Sequence, residues 1–127
     1  MTDRAARTDR PIAGPSLLVI GAGHLALGAV AFRRDLAGMV REGWVDTVEG
    51  PTGTAERGRA FWFQVSGVAL VLLGDAVTAQ ERGERAPART GWALGALALT
   101  GAAALPRSGF WALLAPAAAL VSRARRA

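Results

Sequence analysis

The sequence predicts an all-α protein, a bundle of four transmembrane helices with an amphipathic helix in the loop between spans 1 and 2. Three observations predict it. Hydrophobic residues make up 51% of the chain and are gathered into blocks. Blocks near twenty residues are what a bilayer core requires. Arginines cluster at the block ends, and Trp62, Trp92 and Trp111 open three of the blocks, as interfacial aromatics do.

The spans fall at residues 16–32, 60–79, 90–106 and 108–122, between tails at 1–13 and 123–127. All 127 residues form one integral membrane domain. Pro106-Arg107-Ser108-Gly109 makes a tight turn between the last two spans, because Pro and Gly punctuate helices. A re-entrant hairpin over residues 90–122 is the competing arrangement. Between spans 1 and 2, Leu36, Met39, Val40, Trp44, Val45 and Val48 recur at helical spacing opposite Asp35, Arg41, Glu42, Asp46 and Glu49. That pattern predicts a surface helix ended by Gly50-Pro51-Thr52-Gly53.

Orientation follows from the arginines, which are all fifteen basic residues. Arg4, Arg7, Arg10, Arg82, Arg85, Arg89, Arg123, Arg125 and Arg126 fall on one side. Arg33, Arg34, Arg41, Arg57, Arg59 and Arg107 fall on the other. The excess places both termini in the cytoplasm of a multi-pass cell-membrane protein. The basic start and Ala29-Val30-Ala31 also fit a signal peptide cleaved before Phe32, which would remove the first span. Arg57 and Glu56 read as solvated loop charges.

The net charge of +5 is assigned to topology and not to nucleic acid, because no basic stripe with interleaved aromatics lies outside the blocks. With no cysteine, disulfides and thiolate chemistry are excluded. One histidine rules out a multi-histidine metal centre within one chain, and no cofactor is identified. No phosphate loop or catalytic triad appears, so catalysis is not expected.

Helix faces can be read from the small residues. Gly14, Gly21 and Gly28 recur every seven residues, Gly67 and Gly74 likewise, and Gly91 with Gly95 forms a small-xxx-small pair. His24 stands three residues after Gly21 and four before Gly28, so it projects from the glycine face into the packed interior. Ionisable groups at bilayer depth do face such interiors. Gln64 and Asp75, eleven residues apart, share a face of the second span. Pro116 lies near the depth of His24 and deprives the Ala112 carbonyl of its helical donor. Arg59-Ala60-Phe61-Trp62 and Arg107-Ser108-Gly109-Phe110-Trp111 hint at an internal repeat of two hairpins.

His24, Gln64, Asp75 and Thr100 are therefore the candidates for ligand binding or proton relay. The structural alternative for His24 is a hydrogen bond to a backbone carbonyl, Gln64 or Thr100. For Asp75 it is snorkelling to the interface.

The His24 segment, Arg59-Ala60-Phe61-Trp62-Phe63-Gln64, Leu72-Leu73-Gly74-Asp75, Gly91-Trp92 and Pro106-Arg107-Ser108-Gly109-Phe110-Trp111 resemble a family of small bacterial four-span membrane proteins with no assigned function. The resemblance covers about residues 14–123. It implies the four-helix membrane fold and no chemistry. Three roles follow as expectations: a bundle binding a small hydrophobic ligand near His24, a proton-coupled transporter working as a dimer, or an accessory subunit of a membrane complex. The partners implied are the lipid bilayer, a small hydrophobic ligand, and a homodimer mate or membrane partner protein.

Overall fold

The computed structural model describes residues 10–85 and 87–126. The expected tail at residues 1–13 lies outside them as far as residue 9, with Arg4 and Arg7. Five α-helices are present: α1 (Ala13–Ala31), α2 (Arg33–Arg41), α3 (Ala55–Glu81), α4 (Ala88–Ala104) and α5 (Leu114–Arg125), with a 3-10 helix at Gly109–Leu113. Among the described residues there is no strand, so the fold is all-α.

Among the described residues, only α1 and α3 are both long and apolar enough to cross a membrane. Helix α4 has 17 residues and α5 has 12. The fourth expected span, 108–122, is divided between the 3-10 helix and α5. Pro116 is the third residue of α5, which runs on from the 3-10 helix without a break, so its ring removes a donor that would have faced the preceding turn. It sits where 3-10 winding gives way to α-helix. The expected C-terminal tail is helical as far as Arg125.

The helices stand in a row and do not close into a bundle. Helix α1 contacts α3 and α2, α3 contacts α4, and α4 contacts α5 and the 3-10 helix; among the described residues α1 does not reach α4 or α5. The tightest seam joins α1 to α3, which run antiparallel. Missing side chains set its register. A Cβ on Gly14 would collide with Thr78, one on Gly21 would lie 2.8 Å from Val71 Cγ2, and one on Gly67 would lie 2.7 Å from Leu25 Cδ2. A Cβ on Gly74 would lie 2.8 Å from the Leu18 backbone nitrogen and 2.9 Å from the Gly14 oxygen. Small residues permit this backbone-to-backbone approach. Helix α4 meets α5 in the same way, with Gly91 against Ala117, Leu120 and Val121, and Gly101 against the Phe110 ring.

Helix α1 starts with Ile12 at its N-cap, which offers no side-chain acceptor. Glu81, at the far end of α3, supplies one. Ile12, Ala13 and Gly14 donate their backbone N–H groups to its carboxylate at 3.2, 2.9 and 3.0 Å. Pro15 has no N–H, so all three free donors of the helix start are thus satisfied by an anion, the sign favoured there.

The surface helix is shorter than the apolar pattern suggests. It ends at Arg41 because Gly43, at φ +88°, takes the left-handed position. Gly43 N–H then reaches the Val40 carbonyl and Trp44 N–H reaches that of Met39, a Schellman stop. Trp44, Val45 and Val48, expected on this helix, lie in the loop that follows.

Trp44 and Asp46 are also left-handed, at φ +68° and +53°. Such residues cost roughly 1–3 kcal/mol each. Bonds to α4 offset this: Trp44 Nε1–H donates to the Thr100 carbonyl and Asp46 N–H to that of Ala103, both at 2.9 Å. Beneath the loop sits the densest core, Met39, Val48, Phe61, Ala102, Leu105 and Phe110. Trp62 stacks on Phe110 at 5.9 Å and Phe61 meets it edge-on at 5.7 Å. The two aromatic stretches that suggested a repeat thus meet each other where α3 passes the 3-10 helix.

Arg57 is not a solvated charge. Its guanidinium holds Glu42 in a two-pronged ion pair at 2.6 and 2.7 Å, with the Arg57 side chain 13% exposed. That bond, with help from Thr52, holds the Glu42 carboxyl at about 2, against an ordinary 4.5. Glu56 pairs with Arg59 on the exposed surface.

The seam and the loop each give a measurable expectation. Gly74→Ala should destabilise the protein by about 1–3 kcal/mol through overpacking. Gly23→Ala, with open space around its Cβ, should stabilise by about 0.5–1 kcal/mol through helix propensity. Denaturant unfolding in detergent measures both. Because Glu42 has a lowered pKa when folded, its pairing stabilises the loop above pH 4.5 and that contribution is lost as the pH falls towards 2. Amide-exchange protection in residues 42–54, taken relative to the intrinsic rate at each pH, should fall across that window in the wild type and stay flat in Glu42→Gln.

Candidate functional site at the α1–α3 seam

His24 lies on α1 and is half-buried in the seam. Gly67, opposite it on α3, leaves room: a Cβ there would sit 3.2 Å from His24 Cδ2. The imidazole therefore lies flat on α3. It stacks on the Phe63 ring, centroids 3.8 Å apart and planes at 10°. Its Nε2 lies 3.1 Å from the Phe63 carbonyl oxygen. A carbonyl can only accept, which assigns the proton to Nε2 and leaves Nδ1 as the basic nitrogen. A helical carbonyl has a second lone pair, so the bond leaves the α3 ladder intact.

Gln64 follows Phe63 and also turns towards α1. Its Nε2 donates to the Leu25 carbonyl at 3.5 Å, at the limit of a hydrogen bond. Its Oε1 is buried without a partner among the described residues. A Cβ on Gly28 would approach that oxygen to 3.0 Å and the Phe63 ring to 2.7 Å. Gly28 thus gives Phe63 and Gln64 their space as Gly67 does for His24.

Asp75 stands apart. It faces α4, where Arg89 Nη2 and Nε donate to Oδ1 at 2.7 and 3.1 Å and Thr90 Oγ1 donates to Oδ2 at 2.6 Å. Its side chain is 19% exposed, so it does not snorkel into open water. It ties the end of α3 to the start of α4. Thr100 lies on α4, which does not contact α1, and its carbonyl serves Trp44. It is no partner for His24. Gln64 and Thr100 do border one small apolar cavity of about 140 Å³ between α3 and α4, with Trp44, Phe61 and Leu97.

The four candidates therefore resolve into a His24–Phe63–Gln64 group on the seam, an Asp75–Arg89–Thr90 clamp, and Thr100 beneath the loop. Acid–base cooperation between His24 and Asp75 has no geometric basis. Among the described residues, no group of three His, Asp or Glu side chains is placed to hold a metal. Two neighbours escape sequence reasoning. Phe63 reads there as an interfacial aromatic, although it sits next to Gln64 on the face that meets His24. Thr90 reads only as the start of a span, although its hydroxyl precedes the Gly91 contact and so faces the packed side.

A larger hollow lies on the other face of α3. It is an open apolar groove of about 600 Å³ between α3, α4 and the 3-10 helix. Trp62, Val65, Leu72, Leu94, Leu97 and Phe110 form its walls. Thr90 stands at one end and Ser108 at the other.

Among protein families, the model of a family of unknown function, DUF6463, matches residues 8–127. The chain belongs to this family. Neither a curated protein nor a solved structure matches it.

The His24 contact can be weighed by unfolding in detergent. His24→Phe keeps the ring stack and loses only the bond to Phe63, so the loss should be about 0.6 kcal/mol, with roughly 1.7 as the ceiling. His24→Ala removes the stack as well and should cost more. Equal stability of His24→Phe and wild type would show that the bond contributes nothing.

Proposed function

We propose that this member of a family without an assigned function is an integral membrane protein that holds a small hydrophobic ligand, such as a lipid tail, in the α3–α4 groove. One observation carries the membrane reading. The most apolar stretches of α1 and α3 have only 17% and 22% of their residues buried. The core helix of a water-soluble protein would be mostly covered. Here Val19, Leu27 and Val30 on α1 and Leu73 on α3 are each more than half exposed, as are Trp62, Trp92 and Trp111. Contiguous apolar surface on this scale calls for lipid or a partner.

The ligand reading moves from His24 to the groove. His24 is engaged by Phe63 and lies outside the groove, which has ligand size and apolar walls with one hydroxyl at each end. The transporter reading is weakened by the same bond and by the Phe63 stack, which hold the imidazole against α3. The accessory-subunit reading gains from the row arrangement, since α1 and α5 each keep a side that no other helix covers.

The proposed sidedness draws support from which ends lie together. The start of α1 and the end of α3 share one end with the start of α4, through Glu81 and Asp75. The loop after α2 shares the other with the end of α4, through Trp44 and Asp46. With the arginine bias, four crossings would put both termini in the cytoplasm. The 17 residues of α4 span about 25 Å, close to the hydrocarbon thickness.

The chain lacks cysteine, so single cysteines can be labelled without background. Glu84→Cys should react with an impermeant thiol reagent only from the cytoplasmic side. Pro51→Cys and Arg107→Cys should react only from the other. Labelling of Arg107→Cys from the cytoplasmic side would replace the four-crossing layout with a re-entrant α4–α5 hairpin. Release of the protein from membranes by alkaline carbonate would remove the membrane reading itself. Lipid co-purifying with the wild type and lost in Leu94→Trp would support the groove; equal lipid in both would count against it.

A further inference from the structure

A second pocket of about 600 Å³ opens at the end of the molecule where α4 begins and α5 finishes. Its lining includes Arg85, Arg123 and Arg126 above a floor of Pro87, Leu120 and Ala124. The α4–α5 register builds it. Gly91 lets Ala117, Leu120 and Val121 press onto α4, which carries the last turns of α5 back past Arg85, Pro87 and Ala88. The arginines then divide by face. Arg125 lies over the Trp92 ring, 5.9 Å from its centroid, while Arg123 and Arg126 turn to the pocket that Arg85 enters from the preceding loop.

Among the described residues no carboxylate lines this pocket. Among the described residues none lies within ion-pair distance of the three arginines, whose residues are all exposed. Of the nearby acids, Glu81 is committed to the start of α1 and Asp75 to Arg89, while Glu84, exposed beside Arg85, forms no ion pair with the three arginines among the described residues. Three guanidinium groups offer planar forks of donors that match phosphate oxygens. An apolar floor directly below them suits a ligand that continues from a phosphate into hydrocarbon. Basic pockets between helices at a membrane surface bind anionic lipid head groups by this means.

We infer that the Arg85–Arg123–Arg126 pocket binds the phosphate of an anionic phospholipid, with the glycerol and upper acyl chain resting on Pro87, Leu120 and Ala124. A bilayer as the source of that lipid rests on the membrane reading above; the pocket chemistry does not.

The test is a titration of the purified full chain in neutral maltoside micelles. The probes are short-chain phosphatidylglycerol, short-chain phosphatidylcholine and inorganic phosphate, followed by native mass spectrometry and calorimetry. Phosphatidylglycerol should bind saturably and at least about tenfold more tightly than phosphatidylcholine. Each of R85Q, R123Q and R126Q should weaken it roughly fivefold, and the triple variant roughly a hundredfold. The triple lysine variant keeps the charge and should retain binding to within about tenfold, which separates lost contacts from lost folding. R33Q/R34Q, two exposed arginines at the other end, should bind as the wild type does. Equal affinity for the two lipids, or an unchanged triple glutamine variant, overturns the inference. Inorganic phosphate binding as tightly as phosphatidylglycerol overturns the lipid assignment in favour of a simple anion site. Micelle binding does not require α1 and α3 to cross a bilayer, so carbonate extraction can fail while this pocket holds, and the reverse.

Discussion

Glycine holds this molecule together by what it lacks. Along α1, Gly14, Gly21 and Gly28 face Thr78, Val71 and Phe63 so closely that a methyl group would strike backbone or ring at each. Gly67 and Gly74 answer from α3. Helices with apolar surfaces on every side have no polar seam to direct their pairing, so close packing must do it. The close approaches recur along the whole seam, and a shift by one turn would bring Cβ atoms into several of them. Everything else inherits this register. His24 can lie flat on α3 because Gly67 is beneath it, and Glu81 reaches the start of α1 because the antiparallel helices end together.

Charged groups then work at the ends, while His24 and Gln64 make the polar contacts in the middle. Glu81 closes the start of α1, Asp75 joins α3 to α4 through Arg89 and Thr90, and Glu42 ties α2 to α3 through Arg57. Each places its charge near the end of the helical layer, where water is close. The loop after α2 is the exception in density. Its two left-handed residues are held by α4 carbonyls, and the largest fully buried side chains, Met39 and Leu105, gather under it. The result is a layer with one well-packed end, an open apolar flank and an arginine-rich opposite end.

Much of this is legible in the residues. The seven-residue glycine spacing identifies the packed faces of α1 and α3, and its phase points His24 inwards. A backbone carbonyl is among the partners the sequence suggests for His24, and that is the one it has. The loop helix is legible in kind but not in length, because the apolar spacing continues past Gly43 while the backbone there turns left-handed. Pattern counts side chains and is blind to φ. The fourth block misleads for a related reason: Ser108 to Ser122 is largely apolar, yet its first turns wind as a 3-10 helix before α5 begins at Leu114.

By itself the sequence determined an all-helical chain, the apolar stretches that need cover, the small-residue faces and the arginine bias between the two ends. These are local or periodic properties, carried by neighbouring residues. Only the tertiary structure decided that the helices form a row and not a closed bundle, that Asp75 meets Arg89 and not His24, and that Gln64 shares a hollow with Thr100 and not with His24. Those outcomes depend on which helix lies beside which, and at what register. Periodicity cannot supply them, because one apolar face can satisfy its burial against any other.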